Sequence, residues 1–224
     1  MIKSYKKSLL FSIIFLIAFA FFSIIIKTIG LAEIGPQKSV VGLSELNKAI
    51  FEFFKTNHCW DIVSDIILYL ALLISFVCAM VGVVQFIKRK NLMKVDANIL
   101  SFLIVLIGII ISYIVFDNIV INYRPILVDN ILELSYPSTH VLFSFSILII
   151  CCSMLNNYLK NKSLKIVSTL SATLISVVAV ISRLLSGMHW FSDIVGALLL
   201  SGGFIFIYCF IMILLKNYQE KKRA

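Results

Sequence analysis

Charge is scarce in this sequence: Asp, Glu, Lys and Arg make up 14% of 224 residues, while 61% are hydrophobic and the mean hydropathy is +1.04. That excludes a water-soluble globule, whose apolar share is about half. Cysteine is sparse and placed against cross-linking. Of five, Cys78, Cys151, Cys152 and Cys209 sit in apolar runs and only Cys59 lies in a loop. None has metal-ligand spacing with a histidine, so a disulfide framework and a Cys/His metal site are both excluded. Such thiols behave as small hydrophobes. Repeats, low-complexity segments and linkers are missing, and the chain is read as a single membrane-embedded domain over 1–224. There are only three histidines, four arginines and three prolines. Two of each fall in three short stretches: Tyr-Arg-Pro at 123–125, Pro-Ser-Thr-His at 137–140 and Ser-Arg-Leu-Leu-Ser-Gly-Met-His-Trp-Phe-Ser-Asp at 182–193.

What is abundant is hydrocarbon. Charge-free runs at 8–26, 66–87, 97–116, 141–159, 166–182 and 194–215 are 17 to 22 residues long. About 20 apolar residues cover the bilayer core as a helix. The fold class is therefore all-α, a polytopic bundle of six transmembrane helices over approximately 8–31, 62–87, 97–116, 139–159, 164–183 and 190–215. The first run follows Lys3, Lys6 and Lys7, as a signal peptide would, but its apolar core exceeds the roughly 15 residues of such segments. It is read as a retained span.

The lysines orient the bundle. Residues 1–7, 88–96, 160–165 and 216–224 carry fourteen basic residues against two acidic, whereas the opposite set of segments carries six against nine. The positive-inside rule places both termini in the cytoplasm. The net charge of +9 is thus a topology signal, and no nucleic-acid partner is inferred from it. All three motif stretches then share the outer face. On that face the segment 32–61 has Leu46, Ile50, Phe53 and Phe54 at helical spacing against Glu45, Lys48, Glu52 and Lys55, with Ser44 as candidate N-cap. It is read as a short helix, either interfacial or a lid on the bundle.

The motif residues suit phosphate chemistry. His189 and Asp193 are four apart, so on a helix the carboxylate can hold one ring nitrogen and leave the other basic. That prepares a nucleophile or a general base. His140 stands at the start of span 4 beside Ser138 and Thr139, where unpaired amides and the helix dipole favour an anion. Arg124 and Arg183 add two planar forks for phosphate oxygens.

In their order and spacing these residues resemble the phosphatidic acid phosphatase type 2 superfamily of membrane lipid phosphatases. Arg124 and Pro125 match its Lys-x6-Arg-Pro motif; Pro137, Ser138 and His140 match Pro-Ser-x-His; Ser182, Arg183, His189 and Asp193 match Ser-Arg-x5-His-x3-Asp. The resemblance runs from span 3 to span 6. It implies that His189 attacks phosphorus to form a phosphohistidine, that Asp193 orients it, and that His140 protonates the leaving group and then activates water. Arg124, Arg183, Ser138, Thr139 and Ser182 would bind the phosphoryl group. It implies no metal and no other cofactor.

One position departs from the pattern. Where the family usually has lysine, seven residues before Arg124, this chain has Asp117. A carboxylate aimed at bound phosphate would repel it by about 4 kcal/mol at 4 Å and an effective dielectric near 20. Asp117 is therefore expected to turn away, toward a headgroup or a cationic neighbour. The expected substrate is a lipid phosphate in the cell membrane, with the site on the extracytoplasmic face and the bilayer as its other partner. The abundance of Ile, Lys and Asn suggests a bacterial envelope, so undecaprenyl pyrophosphate, phosphatidylglycerol phosphate and phosphatidic acid are all candidates. Phosphotransfer to another alcohol, or lipid binding without catalysis, would use the same pocket.

Overall fold

The computed structural model describes residues 2–223, with side chains described for 5–222. Seven α-helices follow one another: α1 (Ile2–Thr28), α2 (Ser44–Phe54), α3 (His58–Arg89), α4 (Ala97–Phe116), α5 (Thr139–Tyr158), α6 (Lys162–Ser186) and α7 (Phe191–Arg223). All but α2 are long and apolar enough to cross a bilayer. Among the described residues β structure is limited to isolated bridges.

Local chemistry sets most helix ends. Asn57 and Asn161 cap α3 and α6 by accepting hydrogen bonds from the amides two and three residues on. Gly187 ends α6 in the left-handed region at φ 70. The sequence places Ser44 as the cap of α2. Instead Leu43 caps it in a left-handed conformation, and Ser44 is the first helical residue, buried. The helix termini also differ from the expected spans. α1 ends at Thr28, while α3, α6 and α7 run past their charge-free stretches. At about 1.5 Å per residue the 32 residues of α3 reach about 48 Å, beyond a hydrocarbon core of about 30 Å. That excess length leaves room for its charged first turns to lie outside the lipid.

The core is where α4, α5 and α7 meet. Phe102, Val105 and Ile109 of α4 pack on Val141, Leu142, Ile147 and Ile150 of α5 and on Ile194, Ala197 and Tyr208 of α7, all within one cluster. Buried serines, among them Ser144, Ser146, Ser176, Ser182 and Ser201, let the backbones approach closely. α1 packs chiefly on α7, with Phe11 and Phe15 stacked on Phe206 at 5.2 and 5.7 Å. Large apolar side chains such as Ile17, Leu73 and Leu170 face outward, as lipid contact requires.

α2 is anchored to the bundle rather than lying free. Its Asn47, fully buried, donates to the Ser192 hydroxyl at 2.9 Å and accepts from the Ser192 amide at 3.0 Å. Phe51 meets Trp190 at 5.5 Å. Of the two readings of this helix, the lid describes this face, while Phe53 stays 79% exposed on the other. At the lysine-rich end Arg89 pairs with Asp96 at 2.7 Å, and Gln219 donates to the carbonyls of Met93 and Val95. All five cysteines are free thiols.

Candidate active site

The ends of α4 and α6 and the starts of α3, α5 and α7 converge at one end of the bundle, and the motif residues with them. The stretch between α4 and α5 supplies Arg124. Tyr123 bridges Leu134, and the Arg124 amide donates to the Glu133 carbonyl at 2.9 Å. This hairpin-like turn holds the Arg124 side chain over the α6–α7 connection, where its terminal nitrogen donates to the Met188 carbonyl and meets His189 Nε2, both at 3.4 Å.

His189 sits in that connection, immediately before α7, and is 4% exposed. Its Nδ1 faces Asp193 Oδ2 at 3.6 Å, a separation longer than a good hydrogen bond. Asp193, with no exposed surface, is fixed more firmly. One carboxylate oxygen accepts from Asn122 at 3.0 Å and the other from the Trp190 amide at 3.0 Å. The second bond is half of a capping box, so the helix start itself orients the carboxylate. Burial pushes the proton affinity of His189 well below the usual histidine range, and the positive charges of Arg183 and Arg124 add to the effect. The imidazole is therefore neutral, with Nε2 turned toward Arg124.

A cavity of about 430 Å³ opens beside it, lined by Arg124, Glu133, Tyr136, Thr139, His140 and His189 among others. Both motif histidines thus face one space. Ser138 caps α5 without spending its side chain on the helix; its hydroxyl is fully buried and has no hydrogen-bond partner. That leaves a donor beside the free amides of the first turn of α5, a combination suited to an anion. Arg183 is 2% exposed and adds its charge to the field at His189. Ser182 stands apart: its hydroxyl donates to the Ala179 carbonyl at 3.1 Å within α6. Asp117 is exposed, lines the same cavity and pairs with no cation among the described residues. Of the two partners expected from the sequence, a headgroup or a cationic neighbour, the second is absent among the described residues. Nor do any three His, Cys, Asp or Glu side chains among the described residues converge as a metal-ligand set.

Four acidic or amide residues that the motifs do not contain complete the site. Glu133 pairs with Arg124 at 2.9 Å, Asp61 with Arg183 at 2.7 Å and Asp65 with His140 Nε2 at 3.0 Å, while Asn122 holds Asp193. Asp61 and Asp65 stand four residues apart at the start of α3, a spacing that puts two carboxylates on one helix face. That spacing was the available signal in the sequence; nothing local marks Glu133 or Asn122.

A second cavity of about 340 Å³ is lined by Leu68, Leu72, Ile109, Ile110, Tyr113, Thr139, Leu142 and Phe143, between α3, α4 and α5. It shares Tyr113 and Thr139 with the first. The polar chamber and the apolar groove are neighbours.

Comparison with known proteins follows the same lines. No curated protein sequence matches the chain. Among solved structures, the first transmembrane PAP2 type phosphatidylglycerolphosphate phosphatase from Bacillus subtilis is similar over 94% of this chain and 96% of that one, with a TM-score of 0.53 and 15% sequence identity. This likeness is one of fold. Residues 118–218, which hold Arg124, Ser138, His140, Arg183, His189 and Asp193, match the PAP2 superfamily model. Over that region the chain is similar to the PAP2 superfamily, and its six long apolar helices fit a multi-pass membrane protein.

Proposed function

We propose that the protein is a lipid phosphate phosphatase that works through a phosphohistidine at the extracytoplasmic face of the cell membrane. The observation that carries this reading is the divided environment of His189: Nδ1 toward buried Asp193, Nε2 toward Arg124 beside the cavity shared with His140. A neutral imidazole with one nitrogen beside a carboxylate and the other at the cavity, next to a phosphate-binding arginine, is placed to act as a nucleophile.

The steps follow from the groups present. His189 Nε2 attacks phosphorus while the bond to the leaving alkoxide or phosphate oxygen breaks, and His140 gives that oxygen a proton. His140 then takes a proton from water, the water oxygen bonds to phosphorus and the N–P bond breaks. Asp193 stabilises the positive charge that His189 acquires. Arg124, Arg183, the Ser138 hydroxyl and the amide of Thr139 hold the phosphoryl oxygens, whose charge grows during transfer. The groove between α3, α4 and α5 gives an acyl or prenyl chain an apolar seat next to the chamber. Phosphatidic acid, phosphatidylglycerol phosphate and undecaprenyl pyrophosphate each offer a terminal phosphate on such a chain.

The test is phosphate release from these three lipids by the purified protein. His189→Ala is expected to abolish turnover, and His140→Ala to lower it by about 10²–10⁴-fold, the usual contribution of a positioned acid–base group. Near-normal hydrolysis by His189→Ala overturns the mechanism.

A further inference from the structure

Resting on that reading, we propose that Asp65 is the positioning residue of the acid–base histidine, so that the site contains two Asp–His pairs, His189–Asp193 and His140–Asp65. The aspartate of the second pair comes from α3, outside the region that matches the family model.

The geometry is built to last. Asp65 Oδ1 lies 3.0 Å from His140 Nε2, and one turn earlier Asp61 Oδ1 lies 2.7 Å from the Arg183 guanidinium. The same face of α3 thus reaches both α5 and α6. The start of α3 is fixed by the Asn57 cap and by the Asn57 amide, which donates to the Ser186 carbonyl at 3.2 Å. These bonds tie the aspartate-bearing turns to the end of α6.

His140 Nδ1 is buried and has no hydrogen-bond partner. A ring with one nitrogen committed to a carboxylate has its tautomer and orientation set, and the other nitrogen is left to exchange a proton. As acid, His140 carries a proton on each nitrogen. Nε2–H stays with Asp65, and Nδ1–H passes to the leaving oxygen as the O–P bond breaks. As base, Nδ1 takes a proton from the attacking water, and Asp65 changes protonation in neither step. Besides Asp65, the charged groups around His140 are Asp61, Arg124 and Arg183.

Asp65 is 42% exposed, and an ion pair that open contributes little to stability. The pair should therefore be visible in leaving-group chemistry before it is visible in folding. The experiment compares kcat/KM for a short-chain phosphatidic acid, whose alkoxide needs a proton, with p-nitrophenyl phosphate, whose phenolate does not. kcat/KM covers binding and phosphoryl transfer to the histidine and leaves out the later hydrolysis of the phosphohistidine. For Asp65→Asn we expect a loss on the lipid of about 10–100-fold, about half of a full acid's contribution on a logarithmic scale, and a loss on the aryl ester of less than about 3-fold. Asp65→Glu restores most of the lipid activity, and where the asparagine variant does not fold Asp65→Ala is read in its place for the skewed ratio. Equal losses on the two substrates, or no loss on either, overturn the proposal. His189→Ala is run alongside: residual turnover there defeats the phosphatase mechanism, whereas its loss with an unaffected Asp65→Asn defeats only the second pair.

Discussion

His189 shows how much a single side chain owes to its neighbours. With its proton affinity pushed below the ordinary range by burial and by two arginines, it binds fewer protons folded than unfolded once the pH drops below about 6.5, the unperturbed value. Stability rises with pH wherever the unfolded chain binds more protons. The contribution of His189 is thus complete above about pH 6.5 and is lost on acidification, by at most about 1.4 kcal/mol per pH unit. The melting temperature of detergent-solubilised wild type should therefore fall more steeply from pH 7 to pH 5 than that of His189→Gln; parallel curves would contradict the assignment. At this scale the sequence was legible where chemistry is rare. Histidines and arginines in a chain of hydrocarbon announce a site. Their carboxylate partners are not rare in loops and helix starts, and Asp61 and Asp65 meet Arg183 and His140 across 122 and 75 positions. No local pattern reports such a meeting.

At the scale of elements, the turn from α6 to α7 places His189. Gly187 has φ 70, and a Cβ there would lie 2.6 Å from the Lys55 carbonyl oxygen. Conformation and space both demand glycine. Gly187→Ala is expected to cost about 1–3 kcal/mol in strain and to shift His189, two residues on, so activity should fall further than stability does. Paired measurements of melting temperature and kcat/KM check this, and a variant with full activity would show the turn to be tolerant. Six of the seven helices were readable as charge-free runs of bilayer length. Their ends were less so. The capping asparagines and the left-handed Leu43 act through backbone geometry, and charged turns such as 58–65 of α3 continue a helix that composition alone breaks at the first aspartate.

For the whole molecule, an even number of six candidate spans would put both chain ends on one side, opposite the site, and the positive-inside rule predicts that the lysine-rich side is cytoplasmic. A reporter fused after Ala224 should be active only in the cytoplasm, and one inserted near Asn130, at the tip of the turn between α4 and α5, only outside. The reverse pattern would invert the topology and with it the face on which substrate is met. The packing of α1 has a different kind of consequence, one for biogenesis. Phe15 and Leu16 press on Gly202 and Gly203 of α7, the helix made after all the others. During synthesis α1 therefore enters the bilayer with its packing surface against lipid and waits for five more spans to follow. The same late helix brings Asp193 to His189. A chain interrupted before α7 has neither the packing partner of α1 nor Asp193 beside His189, so the candidate site is assembled only once α7 has been inserted.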